Sequence, residues 1–420
     1  MKKTFLLLIF SIQSIIFVAQ SSDNNYALGN DSIVATQSIV YDSIYEFNAT
    51  LDSLIHDYYI TKAFMPDCDS SAFEPVFFSD SIYIDRLQKL PYVVPMPYNQ
   101  IVKQFIEMYA KRHTQVSYML AIGHSYYFSM FEQSLAKYNV PLELCYLPII
   151  ESALNARAVS HAGAAGLWQF MIKTGRAYGL EVNSLVDERC DPVKSTDAAA
   201  RYLSDLYKIY GDWLLVIAAY NCGPGNVAKA IRYSNDVKDY WTIYPYLPRE
   251  TRSYVPIFIA ANYIMNYFEE HKICPALPLI KYSTDTVMVK DRVHLQQVAD
   301  VLQIPMEELR FLNPQYRRDI IPGNIKPYPL MLPLDKLNAY SFNHDSILNY
   351  KSDLIARQLE AAPKNYSSAE PVSGGKYYRV KKGDTLGGIA KRHGISVSKL
   401  KKMNNLKSNI IQINQKLRVK

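Results

Sequence analysis

Between residues 100 and 270 the apolar side chains recur every three or four positions. Ile101, Phe105 and Met108 form one such stripe, and Met119, Ile122, Tyr126 and Met130 continue it, which is the spacing of an amphipathic helix. Pro141 opens a further helix that carries Glu151. After Asp191-Pro192, the stretch Ser195 to Tyr210 places Ala198, Tyr202, Leu206 and Ile209 on one face. Asp212 to Tyr220 is apolar almost throughout and is stopped by the breaker cluster Cys222-Gly223-Pro224-Gly225. Tyr254 to Phe268 makes another helix. The pattern predicts one mostly helical domain over residues 96–275.

The period changes after that. Val289-Lys290 recurs as Val380-Lys381 at an offset of 91, and the same offset pairs Leu295 with Leu386, Ala299 with Ala390, Ile304 with Ile395, Leu309 with Leu400 and Asn313 with Asn404. Such ungapped self-similarity predicts two copies of one small fold. The second copy reads strand (Tyr377 to Val380), turn (Gly383-Asp384), helix (Leu386 to Arg392), helix (Val397 to Met403) and strand (Lys416 to Val419). The expected class is α+β: a mostly α-helical domain, then small βααβ modules at 282–335 and 376–420. A linker over 340–375 separates them, polar from Pro363 to Gly375.

Length and composition add limits. A chain of 420 residues, 49% apolar, has room for two to four domains with substantial cores. Lys2 and Lys3, the apolar stretch Phe5 to Val18 and Ala19 read as a signal peptide over 1–19. That stretch is short for a spanning helix, so the mature chain is expected to be exported without a transmembrane span, into the periplasm or cell envelope. The first cysteine is Cys68, so a lipidated N-terminal Cys is not expected. Residues 20–95, rich in Ser, Asp and Tyr, read as a partly ordered leader with one or two short helices, punctuated at its end by Pro95 and Pro97. Five cysteines without CxxC or His ligand spacing predict no metal site, and their odd number leaves a free thiol. Cys145 and Cys222 read as small buried apolar residues. Without HExxH, Walker or GxSxG motifs, no cofactor is expected.

Charge is uneven. Residues 376–420 carry thirteen Lys and Arg against the single acid Asp384, a net +12, while the whole chain is +7. A basic tail calls for an anionic partner. Export argues against nucleic acid and favours a cell-wall polymer bearing carboxylates or phosphates.

The chemistry centres on Glu151, a lone acid after the apolar run Leu147-Pro148-Ile149-Ile150. Protonating a glycosidic oxygen near neutral pH needs a carboxyl group raised above the ordinary range of a glutamate, and apolar surroundings raise it by penalising the charged form. Polar partners arrive from distant segments, in Gly166-Leu167-Trp168-Gln169 and Ala219-Tyr220-Asn221. The string PIIESALNARAVSHAGAAGLWQFMIKTGRAYGLE at 148–181, with AAYNCGPGN at 218–226 and LPRETRSYVP at 247–256, closely resembles the lytic murein transglycosylases, nearest the membrane-bound lytic transglycosylase D type. The resemblance covers roughly residues 95 to 270 and implies a lysozyme-like fold. Residues 377–420, with YRVKKGDTL, resemble a LysM module. The first copy looks like a degenerate LysM, with Arg292-Val293-His294 in place of Gly383-Asp384-Thr385.

Carried onto this sequence, the resemblance makes Glu151 the catalytic acid and then base. It makes Ser160 a contact to acid or substrate, and Gln169 a contact to the sugar near the cleaved bond. Tyr220 and Asn221 would line the groove, and Tyr254 would orient Glu151. Ser152 is expected to bond backbone and hold the helix. The substrate implied is the glycan strand of peptidoglycan, cut between N-acetylmuramic acid and N-acetylglucosamine with a 1,6-anhydro product. In the second LysM copy, glycan contacts are expected around Gly383, Asp384, Thr385 and Leu386, and around Asn404 and Ile411. Two alternatives stay open. A goose-lysozyme-like hydrolase needs a second carboxylate, with Glu181, Asp187, Glu188 and Asp191 as candidates in what reads as a solvated loop. An inactive wall-binding scaffold needs none.

Overall fold

The computed structural model describes residues 74–276, 283–353, 377–381, 384–404, 406, 411 and 415–419. The signal segment, residues 20–73 of the leader, the linker beyond 353 and Gly383 lie outside the described residues.

The helical domain starts earlier than residue 96. Helix α1 (Asp80–Lys89) sinks Tyr83 and Leu87 into the core that also holds Val94 and α2 (Gln100–Lys111). Only those two of its ten residues are buried, so its apolar signal is thin. Asn99 starts α2 by accepting from Ile101 N and Val102 N at 3.0 and 2.9 Å, a side-chain N-cap. Helix α3 (His113–Ile122) runs through a π turn into α4 (Phe128–Lys137). Pro141 precedes a 3-10 turn, Leu142–Tyr146, and only then does α5 (Leu147–Ser152) begin, with Pro148 in its first turn.

After α6 (Ile172–Ala177), α7 (Pro192–Tyr210) is capped by Asp191 and closed by Gly211 at φ 66°. Its inward stripe runs through Ala199, Leu203, Leu206 and Tyr210. Ile209 is turned off that stripe and stays 57% exposed. Asp212 caps α8 (Trp213–Cys222) through Leu215 N at 2.8 Å. Helix α8 is apolar on every side because α7, α9 (Pro224–Tyr233) and α11 (Arg249–Asn266) cover it. The short α10 (Tyr240–Ile243) lies between the last two. Cys145, Cys190 and Cys222 are free thiols, the first two buried and the third packed half-buried against the core. Cys274 is disulfide-bonded.

The first repeat unit pairs β1 (Thr284–Val289) antiparallel with β4 (Tyr328–Pro333), and β2 (Arg292–His294) with β3 (Ile320–Pro322). Between them lie α12 (Leu295–Leu302) and α13 (Met306–Leu312). The expected linker begins with structure: α14 (Leu337–Phe342) and α15 (His344–Asn349) bury Tyr340 and Ile347 in this unit's core. The second unit pairs β5 (Tyr377–Arg379) with β6 (Lys416–Arg418) around α16 (Leu386–Arg392) and α17 (Val397–Met403).

The offset seen in the sequence is a structural equivalence. Asn313 accepts from Met331 N at 2.8 Å and donates to Met331 O at 2.9 Å. Asn404 does the same to Arg418 at 2.7 and 2.8 Å. Each asparagine also donates to the carbonyl four residues back, Leu309 O or Leu400 O. One amide thus clamps the second helix to the last strand in both units. Gln303 and Gly394, also 91 apart, both take left-handed φ, 55° and 66°, where the first helix ends.

Candidate functional site

Glu151 sits one residue from the end of α5, half-buried. After Ser152, Ala153 and Leu154 take φ of 49° and 62°, which ends the helix abruptly one residue beyond the acid. Burial pushes the Glu151 carboxyl up to about 7, against the opposing pull of the Tyr254 hydroxyl, which donates to Oε1. The result is an acid poised to be protonated near neutral pH.

Three other segments close around it. Ser152 Oγ donates to Pro148 O and Leu167 O, both at 3.0 Å. This ties α5 to the Gly166–Gln169 turn, as expected of Ser152. Trp168 is fully buried, edge-on to Phe131 at 5.3 Å, and its indole N–H donates to Thr196 Oγ1 at 2.9 Å. Tyr220 OH reaches across from α8 to Trp168 O at 2.8 Å. Burial raises the Tyr220 hydroxyl well above its usual range, and the neighbouring Glu151 charge adds to this. From α11, Thr251 and Tyr254 lie one turn apart. Tyr254 meets Glu151, while Thr251 Oγ1 donates to Asn221 Oδ1 at 2.8 Å.

Gln169 adopts φ 45°, and its side-chain amide donates to Gly166 O at 2.8 Å and Ala158 O at 3.2 Å. Ser160 is exposed in the adjoining hairpin, where its hydroxyl accepts from Ala164 N at 3.0 Å. The structure therefore joins Glu151 with Tyr254, places Tyr220 beside them, and holds Gln169 on a loop anchored to α5. Ser160 and Asn221 make their hydrogen bonds to Ala164 and Thr251.

The 181–191 stretch departs from its reading as a solvated loop. Asp187, Glu188, Arg189 and Asp191 are all buried. Each charge has a partner, which is what makes burial tolerable. Arg189 grips Asp187 through Nε and Nη2 at 2.9 and 2.8 Å, and its Nη1 spans Gly163 O at 2.7 Å and Phe170 O at 2.9 Å. Glu188 pairs with Lys194 and accepts from Glu181 N at 2.8 Å. Asp191 caps α7, and Glu181 binds Lys326 at 2.7 Å and Tyr328 OH at 2.8 Å.

Residues 129–243 match the family described as Transglycosylase SLT domain, residues 283–349 the Lytic transglycosylase MltD, LysM-like domain, and residues 378–420 the LysM domain. The membrane-bound lytic murein transglycosylase D of Escherichia coli (strain K12) is 33% identical over 338 residues, covering 77% of this chain and 70% of its own. The chain belongs to the membrane-bound lytic murein transglycosylase D family. It is thus a lytic transglycosylase with two LysM-type modules of unequal kind. The N-acetylmuramoyl-L-alanine amidase sle1 of Staphylococcus saprophyticus is 55% identical over 42 residues, 10% of this chain and 13% of its own. The solved 70 kDa soluble lytic transglycosylase of Escherichia coli is 17% identical, covers 57% of this chain and 45% of that one, and gives a TM-score of 0.32. Among the described residues of this transglycosylase, no helix is long and apolar enough to cross a membrane.

Sequence reasoning missed Arg189 and Thr251. The only signal for Arg189 was charge density: one cation inside the run Asp187 to Asp191. Thr251 stands three residues before Tyr254, a helical spacing that places both on one face.

Proposed function

We propose that this transglycosylase cleaves the β-1,4 bond between N-acetylmuramic acid and N-acetylglucosamine in peptidoglycan, using Glu151 alone and consuming no water. The observation that carries this reading is the pairing of a raised Glu151 with the Tyr254 hydroxyl, while every carboxylate of 181–191 is engaged elsewhere. An inverting hydrolase needs a second, free carboxylate to activate water, and Asp187, Glu188, Asp191 and Glu181 hold caps and ion pairs instead.

In the proposed cycle Glu151 gives its proton to the glycosidic oxygen, and the bond from that oxygen to C1 of the muramoyl residue breaks through an oxocarbenium-like state. The muramoyl 6-hydroxyl oxygen then bonds to C1, and its proton passes to the Glu151 carboxylate. Glu151 ends the cycle protonated, and the product carries a 1,6-anhydro ring. Tyr254 holds the carboxyl group in place, Tyr220 and Asn221 line the groove, and Gln169 and Ser160 meet the sugar. Mass spectrometry of muropeptides released from purified peptidoglycan tests the scheme. Products one water lighter than hydrolytic ones support it, and reducing-end products reject it.

Tyr254→Phe is expected to lower kcat by roughly ten- to a hundredfold, because the acid loses its anchor. The same hydroxyl favours the charged form of Glu151. Its loss therefore raises the carboxyl further, so the alkaline limb of the pH–rate profile moves to higher pH. A limb that moves down would mean that Tyr254 does not bond the carboxylate.

The 378–420 module is proposed to hold the enzyme on glycan chains. Its loops are shaped from within: Leu386 is buried, Asn404 is the clamp described above, Thr385 caps α16 through Gly388 N at 3.1 Å, and Ile411 packs on the module's core. Asp384 accepts from Lys381 N and from Tyr378 OH, each at 2.8 Å, and pairs with Arg392. The Lys381 amide and then Arg392 hold its carboxyl down to about 2. The glycan surface is proposed around Asp384, Thr385, Leu386, Asn404 and Ile411, with Gly383 outside the described residues. Deleting residues 376–420 should weaken binding to sacculi in a pull-down yet leave cleavage of soluble glycan fragments within about twofold, since independent sites act additively.

A further inference from the structure

The two repeat units share one frame. The first is joined to the catalytic domain by backbone. Val186 and Tyr316 form an antiparallel bridge, Asp187 N donates to Gln315 O at 2.9 Å, and Arg317 N donates to Leu185 O at 2.7 Å. Leu185 and Val186, from the catalytic domain, are buried in the module's core, and Phe311, from the module, is buried in the catalytic core. Phe311 packs on Tyr126 and Tyr127 at ring distances of 5.3 and 6.2 Å.

One chain of charges runs through this junction into the active-site loop. Arg317 of the module pairs with Asp187. Asp187, whose side chain is 4% exposed, is also held at two oxygens by Arg189, 3% exposed. Arg189 in turn donates to Gly163 O and Phe170 O, the two ends of the loop that carries Gln169. Gly166 lies directly over the Arg189 carbonyl, where an added Cβ would come within 1.7 Å of the oxygen. A displacement of Arg189 is therefore passed to the loop through both its side chain and its backbone.

We propose that the module at 283–349 is a brace for the catalytic loop, and that Arg317 and Asp187 are positioning residues acting through Arg189 on the 163–170 segment. A buried carboxylate with two cations has one orientation set by both. Removing Arg317 leaves Asp187 and Arg189 free to shift together, and small misplacements of substrate-contacting groups are costly in rate. The brace rests on the proposed function only where activity is the readout.

The test uses the full chain, with Arg317→Ala, Arg317→Lys, Gln169→Ala and the double variant Arg317→Ala/Gln169→Ala. Arg317 is partly exposed, and thermal unfolding confirms that each variant is folded. Amide hydrogen exchange is read over 163–170, and kcat and KM are read on soluble glycan chains. The brace predicts at least about tenfold faster exchange in that segment for Arg317→Ala. It also predicts a kcat loss of about tenfold or more with little change in KM, and partial rescue by Lys, which keeps the charge without the fork. In the Gln169→Ala background, loss of Arg317 should cost much less, because coupled residues are non-additive. Unchanged exchange in folded Arg317→Ala, or the same rate loss in both backgrounds, overturns the brace. Wild-type protein that releases no anhydro product would overturn the proposed function, while the exchange measurement still decides the brace.

Discussion

Glu151→Gln should abolish glycan cleavage and, above neutral pH, make the protein more stable than wild type. The amide keeps the size of the side chain and still accepts from Tyr254, so binding survives while the proton to be donated is gone. General acid–base work of this kind is worth about a hundred- to ten-thousandfold, and one residue serving both halves of the cycle places the loss at the upper end. The stability sign follows from the raised carboxyl. In the unfolded chain Glu151 titrates at its ordinary value of 4.5, and in the folded protein at about 7. The folded state therefore holds the extra proton between those values, and stability falls as pH rises through that window. Above it the wild type carries a penalty of about 3 kcal/mol, from 1.36 kcal/mol per unit. Below pH 4.5 the penalty is absent. The melting temperature of Glu151→Gln should match wild type at acidic pH and exceed it by several degrees at pH 8. Equal melting curves at both pH values would mean that the carboxyl is not raised, and retained cleavage would place the acid elsewhere.

The same residue shows how far the sequence could be read. Glu151 was visible because an acid after four apolar residues is unusual, and its partners Tyr220 and Tyr254 were visible because their motifs resemble those of one family. The repeat was legible because a fold of two helices and two strands keeps its apolar positions and its clamp, Asn313 or Asn404, at one spacing. Boundaries were harder. Helix α1 buries only Tyr83 and Leu87, so its polar face dominated, and α14 and α15 gain their place from burying Tyr340 and Ile347 against a core that is distant in sequence. The charges of 181–191 depart from the expected solvated loop for a physical reason. An isolated run of acids and bases is ordinarily solvated, but here Arg317, Lys326 and Tyr328 approach it from the next module and pair with Asp187 and Glu181. Pairing across 130 residues, as between Asp187 and Arg317, leaves no local trace.

That buried junction makes Gly166→Ala the most damaging small substitution expected here. Gly166 stands at φ 84°, a conformation that costs a residue with Cβ about 1–2 kcal/mol. The Cβ would also lie 1.7 Å from the Arg189 carbonyl oxygen and 2.6 Å from its carbon. Neither atom can give way freely, because Arg189 is held by Asp187 and by the carbonyls of Gly163 and Phe170. The methyl group must therefore drive the loop off the 187–191 segment, loosening the buried ion pair and moving Gln169 with it. Breaking such a pair alone costs about 3–5 kcal/mol. Gly163→Ala supplies the control, because Gly163 has φ 86° but nothing within 4 Å of its added Cβ. It carries the backbone strain without the collision. Urea denaturation should show Gly166→Ala destabilised by at least about 3 kcal/mol more than Gly163→Ala, with cleavage lost in the first and largely kept in the second. Equal losses in the two variants would show that backbone strain alone governs the loop and that its contact with Arg189 carries no weight.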